Sequence, residues 1–230
     1  MNIAVILAGG TGSRVGGDKP KQFIEIDGRT VIERCIDAFE AAPGIDEIAV
    51  VVHPQWTDHM REVAERNRWG KVKKILDGGS ERYMSSLNAI AAYLDYPDDT
   101  NLLLHDAARP WVSQEIIAHV VESLKDHEAV AVGIPSTDTV WEVRQDFDRQ
   151  LSKFIARIPE RKTMWRAQTP QAFRLPLIRD AYQCGLQDPQ FAATDDCGVV
   201  RRYLPGTKII IVPGEEQNRK ITFREDFPDF

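Results

Sequence analysis

Apolar and polar residues alternate along this chain on two different periods. The run at residues 3–7 is almost wholly apolar, the pattern of a strand covered on both faces of a parallel sheet, and further strand-like runs follow at 45–52, 72–76, 102–104, 129–134 and 208–212. Between them lie polar stretches whose apolar residues are spaced for one helix face, at 30–40, 55–68, 82–94 and 113–125. A short strand over 23–26 and an Asp27-Gly28 turn lead to Thr30, which is placed to cap the first helix, with Glu33 completing a capping box. The alternation predicts five βα-type units in a three-layer α/β sandwich, a single domain spanning residues 1–230. Further on, Pro176 starts a helix to 185, and Thr194 caps another to 203.

Residues 137–165 break the alternation. Two short β-prone runs, at 139–143 and 154–157, are separated by polar residues without helical period. This segment predicts a β-arm projecting from the sandwich, whose exposed edges would pair with the arm of a second subunit. A homodimer is therefore expected.

Charge narrows the function classes. The formal net charge is −6, which opposes sliding along nucleic acid, so any anion site must be local. No apolar run reaches membrane length, and Met1-Asn2-Ile3 leads straight into the first strand, so no leader is expected and the protein is expected in the cytoplasm. The three cysteines, Cys35, Cys184 and Cys197, form no C-x-x-C pair and are read as reduced; the five histidines form no zinc pattern.

Two segments carry candidate chemistry. After the first strand, Ala8-Gly9-Gly10-Thr11-Gly12-Ser13-Arg14 supplies glycines whose backbone can approach an anion, and Arg14, Lys19 and Lys21 add cations. A loop of this kind reads as built for phosphate, such as that of a nucleoside triphosphate, the other reading being a tight strand-to-helix turn. It departs from the dinucleotide fingerprint, since Val15 stands where the third glycine belongs and no ribose-binding acid follows the second strand. It also lacks the Gly-Lys-Ser or Gly-Lys-Thr of a Walker loop. The second segment is His105-Asp106-Ala107-Ala108-Arg109-Pro110, a charged stretch at the end of an apolar strand, where parallel sheets bind ligands.

In order and spacing, these motifs resemble the cytidylyltransferases that join CMP to a polyol phosphate. The resemblance runs from Leu7-Ala8-Gly9-Gly10-x-Gly12-x-Arg14 through Pro20-Lys21-Gln22, Gly78-Gly79-x-x-Arg82, His105-Asp106-Ala107-Ala108-Arg109-Pro110 and Gln168-Thr169-Pro170-Gln171 to Thr194-Asp195-Asp196 and Lys220-Ile221-Thr222. It implies a Rossmann-like nucleotidyltransferase sandwich with a mostly parallel sheet, CTP as co-substrate and Mg²⁺ as cofactor. It further implies that Ala8, Gly9, Gly10, Gly12, Gly79, Ser80, Ser85 and Ala107 surround CTP, and that Arg14 and Lys21 grip the triphosphate. Asp106 would help place Mg²⁺ and substrate, while Arg109, Thr139 and Lys220 would hold the polyol phosphate. Arg161, at the base of the arm, would reach into the neighbouring subunit's site.

Other readings of these residues stay open. Lys19 reads also as a solvated loop lysine, Asp106 as a turn cap, Arg161 as an arm surface charge, Asp195 and Asp196 as helix caps, and Trp141 and Trp165 as interface or core anchors. The acceptor is open between two members of the family. Trp165-Arg166-Ala167-Gln168 and Ala107-Ala108 resemble the methylerythritol phosphate enzyme of isoprenoid synthesis. Leu7-Ala8-Gly9-Gly10, Ile158-Pro159-x-Arg161 and Cys197-Gly198-Val199-Val200 resemble ribitol phosphate enzymes of teichoic acid and capsule synthesis. The first is favoured. Arg219 replaces the usual isoleucine before Lys220 and is expected near the polyol site. A nicotinamide oxidoreductase and a non-catalytic nucleotide-binding protein are the more distant alternatives.

Overall fold

The computed structural model describes residues 1–10, 19–146 and 152–227. In chain order the elements are β1 (Asn2–Ala8), β2 (Glu25–Ile26), β3 (Arg29–Thr30), α1 (Val31–Glu40), β4 (Glu47–Val52), α2 (Thr57–Asn67), β5 (Val72–Asp77), α3 (Arg82–Ala91) and β6 (Asn101–Asp106). They continue as α4 (Gln114–Ser123), β7 (Ala129–Pro135), β8 (Glu142–Asp146), β9 (Ser152–Arg157), β10 (Trp165–Arg174), α5 (Leu175–Gly185), α6 (Asp196–Tyr203) and β11 (Ile210–Pro213).

Seven strands form one sheet in the order β11-β7-β10-β6-β1-β4-β5. Strands β1, β4, β5, β6, β7 and β11 run parallel, and β10 lies antiparallel between β6 and β7. The apolar runs occupy the centre: every residue of β4 and β6 is buried, and β1 is buried from Ile3 to Ala8. One core lies under α1, α2 and α4, and the other under α3, α5 and α6. Three layers follow from the period-2 and period-3.6 patterns meeting across the sheet.

Local chemistry sets the element ends. Thr30 Oγ1 accepts from the Glu33 N–H at 3.3 Å while the Glu33 carboxylate accepts from the Thr30 N–H at 2.9 Å, a complete capping box. Among the described residues, β1, β4, β5 and β6 alternate with α1 to α4 as expected, and the fifth strand, β7, leads into the arm. The structure departs from expectation in three places. Residues 21–23 form a 3-10 turn, so the strand expected over 23–26 shrinks to β2. Asp195, not Thr194, caps α6: its carboxylate accepts from the Gly198 N–H at 2.8 Å, and an ionised N-cap also suits the helix dipole. The segment from Trp165 is a full strand, β10, whose polar sequence hides its position in the sheet. The arm itself is present as the two-stranded β8–β9 hairpin.

Candidate active site

The carboxyl ends of β1, β5 and β6 open onto one cleft of about 300 Å³. Its first wall is mostly backbone. Ala8, Gly9 and Gly10 leave β1, and Gly79, Ser80 and Ser85 face them from the β5–α3 turn. The two turns are in close contact: a Cβ on Gly9 would lie 2.6 Å from Ser85 Oγ, and one on Gly78 would lie 3.0 Å from Gly9 Cα. Ser85 Oγ in turn accepts from the Gly79 N–H at 3.2 Å. A narrow, largely backbone wall of this kind suits a flat ring.

The second wall is charged. Asp106 ends β6, and its Oδ1 accepts from Arg82 Nε at 3.2 Å while Oδ2 accepts from Lys220 Nζ at 2.7 Å. Burial would raise its pKa, but the charges of Arg82 and Lys220 override this and hold the carboxyl well below the usual range. Asp106 is therefore ionised, and its oxygens serve the two cations rather than capping the following turn. Lys21 projects from the 3-10 turn into the same cleft, its Nζ donating to the Ile221 carbonyl at 2.6 Å.

Buried amides and hydroxyls place these groups. The Gln22 side chain donates to the carbonyls of Ala8 and Gly10 at 2.9 and 3.0 Å, clasping the start of the glycine loop to the turn that bears Lys21. Thr169 Oγ1 accepts from the Asp106 N–H at 3.1 Å and sits 3.1 Å from His105 Nδ1. His105 Nε2 meets the Arg109 carbonyl at 3.1 Å. A carbonyl only accepts, so Nε2 carries the proton and Nδ1 accepts from the Thr169 hydroxyl. Burial pushes His105 down to about 4, which keeps it neutral. On the far side, Asn218 donates to Gln168 Oε1 and the Thr169 carbonyl, and the Ile221 N–H donates to the Ala108 carbonyl at 2.8 Å. The polar residues of β10 thus hold both the end of β6 and the segment bearing Lys220.

Ala8, Gly9, Gly10, Lys21, Gly79, Ser80, Ser85, Asp106, Ala107 and Lys220 all line this cleft. Gly12 and Arg14 lie outside the described residues. Arg109 lies beside the cleft and spends Nη1 on the Asn218 carbonyl and Nη2 on the Ala167 carbonyl, so in this chain it supports the Lys220 segment. Thr139 and Arg161 are exposed on the arm, away from the lining. Arg219 does not line the cleft either; its guanidinium lies 5.0 Å from the centre of the Trp111 ring. Sequence reasoning did not single out Gln22 and Arg82, although both stood inside quoted motifs, Pro20-Lys21-Gln22 and Gly78-Gly79-x-x-Arg82.

Comparison with known proteins is consistent along the whole chain. A family model described as IspD, 2-C-methyl-D-erythritol 4-phosphate cytidylyltransferase, matches residues 2–229. The protein of that name from Thermobifida fusca is 46% identical over 97% of this chain and 89% of the relative. A bifunctional ribulose 5-phosphate reductase/CDP-ribitol pyrophosphorylase from Haemophilus influenzae is 39% identical over 96% of this chain, which spans 45% of that relative. The crystal structure of 4-diphosphocytidyl-2C-methyl-D-erythritol synthase from Anaerococcus prevotii superposes with a TM-score of 0.84 at 30% identity, covering 98% of this chain and 92% of that one.

Proposed function

The chain belongs to the 2-C-methyl-D-erythritol 4-phosphate cytidylyltransferase family and is a CTP-dependent nucleotidyltransferase; from that premise we propose how its cleft carries out the transfer. The observation that carries the reading is the meeting of a backbone-lined pocket and a cationic wall in one cleft of about 300 Å³. The amide-lined side takes the cytosine and ribose of CTP. The triphosphate runs towards Lys21, where the resemblance implies that Arg14 grips it as well, and the polyol phosphate approaches from the side of Asp106 and Lys220.

A phosphate oxygen of the acceptor then attacks the α-phosphorus. One P–O bond forms, the α–β bridging bond breaks, and pyrophosphate leaves. The nucleophile is already anionic, so no base is required; the barrier is the approach of one anion to another. Lys21 and Lys220 are the charged donors that lower it, each contributing about 3 kcal/mol when well placed. Asp106, ionised and fixed by two cations, accepts hydroxyl hydrogens of the polyol and keeps Lys220 from collapsing onto the triphosphate.

Magnesium fits this arrangement as an ion held mainly by its substrate. Among the described residues no group of three His, Cys, Asp or Glu could hold a metal ion. Mg²⁺ accompanying CTP would be held mainly by the substrate's phosphates, and Asp106 is the carboxylate of the cleft that would help to hold it. When bound, the ion neutralises charge on the triphosphate.

The arm supports a homodimer. Val140, Trp141, Val143, Phe154, Ile155 and Ile158 are 42–58% exposed along it, a patch that a second copy would cover. Arg161 and Thr139, which do not line their own chain's cleft, would then complete the partner's. The three unpaired cysteines suit a reducing compartment, and no helix among the described residues is long and apolar enough to cross a membrane; we place the reaction in the cytoplasm.

The test is pyrophosphate release from CTP and Mg²⁺ with 2-C-methyl-D-erythritol 4-phosphate and, in parallel, D-ribitol 5-phosphate. Turnover with the first is expected. Turnover only with the second would transfer the same mechanism to the chemistry named in the Haemophilus relative, and silence with both would overturn the reading.

A further inference from the structure

Behind the charged wall lies a carboxylate that no ligand can reach. Asp196, the first residue of α6, is 0% exposed. Its Oδ2 accepts from Arg82 Nη1 at 2.7 Å and its Oδ1 from the Tyr182 hydroxyl at 2.6 Å. Its own N–H donates to Gln171 Oε1 at 3.0 Å. Arg82 is thereby stretched between two carboxylates, since its Nε serves Asp106. From the Tyr182 hydroxyl outwards, the run Asp196–Arg82–Asp106–Lys220 alternates in charge from the core to the mouth of the cleft.

Helix capping does not explain this arrangement, because Asp195 performs that role. Simple packing does not explain it either. Arg82 Nη2 is buried without a hydrogen-bond partner, so the guanidinium is not seated to satisfy all its donors. It is seated to span Asp106 and Asp196. A buried charge needs such opposed partners to remain charged in place, and a guanidinium with two anchors points in one direction where one anchor would let it pivot.

We infer that Asp196 is a positioning residue of the acceptor half of the site, acting through Arg82 to fix the direction of the Asp106 carboxylate and the reach of Lys220. The inference rests on the acceptor approaching Asp106 and Lys220. Without the charge on Asp196, Arg82 is held by Asp106 alone and draws that carboxylate back from the cleft; Lys220 follows. The amide-lined nucleotide pocket, built on the turns at Gly9 and Gly79, keeps its shape.

The test is steady-state kinetics of Asp196→Asn and Tyr182→Phe, with CTP affinity measured by calorimetry and folding by thermal unfolding. Wild-type turnover is established first with whichever polyol phosphate is used, so that failure of the functional reading is seen separately. Asp196→Asn keeps the volume but turns an NH₂ donor or a weak acceptor towards Arg82. Its kcat/KM for the polyol phosphate is expected to fall about 30-fold or more, the scale of a misplaced reacting group, with CTP affinity within about threefold of wild type. Tyr182→Phe leaves the Asp196–Arg82 pair intact; it is expected to lower the melting temperature while changing acceptor kinetics less than about threefold. If Asp196→Asn lowers the melting temperature as Tyr182→Phe does and leaves acceptor kinetics unchanged, Asp196 is a fold residue and the inference is overturned. Should Asp196→Asn not fold, Arg82→Lys replaces it: an ammonium cannot span both carboxylates, and the same acceptor-side loss is expected. Wild-type acceptor kinetics in that variant would equally overturn the inference.

Discussion

At the scale of single residues, buried charges are decided by how many opposed donors surround them. Glu33 is the clearest case away from the cleft. It is buried at the start of α1, where it accepts from Thr30, Asn67 and Arg66. Burial would raise its pKa, but the bonds from Asn67, Thr30 and Arg66 bring it down to about 2 from an ordinary 4.5. A depressed carboxyl stabilises the fold fully above its unfolded pKa, and that contribution is lost as pH falls from about 4.5 towards 2. Glu33→Gln is expected to cost about 2 kcal/mol at pH 7 and to flatten the acid limb of stability between those pH values, as denaturant melts at a series of pH values would show. A stability difference that does not shrink on acidification would refute the assignment. Nearer the site, Gly79→Ala places a Cβ 2.1 Å from Met84 Cβ, so the first turn of α3 must move. A tenfold or greater loss of CTP affinity is expected, by the general cost of a clash that no rotamer change relieves, and calorimetry measures it directly.

Elements were legible in proportion to how apolar they are. The runs that became β1, β4 and β6 are buried on both faces, and their hydrophobicity alone announces them. Capping chemistry placed α1 to the residue, because Thr30 and Glu33 stand three apart before an apolar face. Strand β10 was illegible for the opposite reason. Gln168, Thr169 and Gln171 are buried, yet their burial is sustained by hydrogen bonds to Asn218, His105 and Asp195, partners remote in sequence that no local pattern reveals. The site divides in the same way. Gly9, Gly10, Gly79, Lys21, Asp106 and Lys220 could be read from the motifs as candidates that line the cleft, whereas the bonds by which Arg82 and Gln22 hold Asp106 and the glycine loop needed coordinates. Gln22 makes the clasp between the 3-10 turn and the end of β1 testable as a unit. Gln22→Ala removes both bonds, to Ala8 and Gly10, so the loop and the turn bearing Lys21 can separate. We expect KM for CTP to rise about tenfold and kcat to fall, with a stability loss of only about 1–2 kcal/mol; an unchanged KM would mean that the loop is held elsewhere.

At the scale of the whole molecule, the cleft and the arm pose one question, which is whether Thr139 and Arg161, which do not line the cleft of their own chain, serve that of a second copy. Thr139 and Arg161 are exposed, and the arm that bears them presents Trp141, Phe154 and Ile158 at 50–58% exposure, more apolar surface than a two-stranded hairpin supports on its own. If a second copy covers this patch and receives Arg161, activity belongs to the dimer. Two separable losses follow. Trp141→Glu would set a charge in the apolar contact; the protein is expected to sediment as a folded monomer with turnover reduced at least tenfold and CTP binding retained. Arg161→Ala would leave the dimer intact and lower turnover alone, by about two orders of magnitude for a charged donor to a phosphate. Mixing the folded monomeric variant with the Arg161→Ala variant is then informative, because neither can rebuild a complete site in the other unless the arms still pair. An Arg161→Ala protein that turns over at the wild-type rate, or a Trp141→Glu monomer of full activity, would return both residues to the surface and make each cleft self-sufficient.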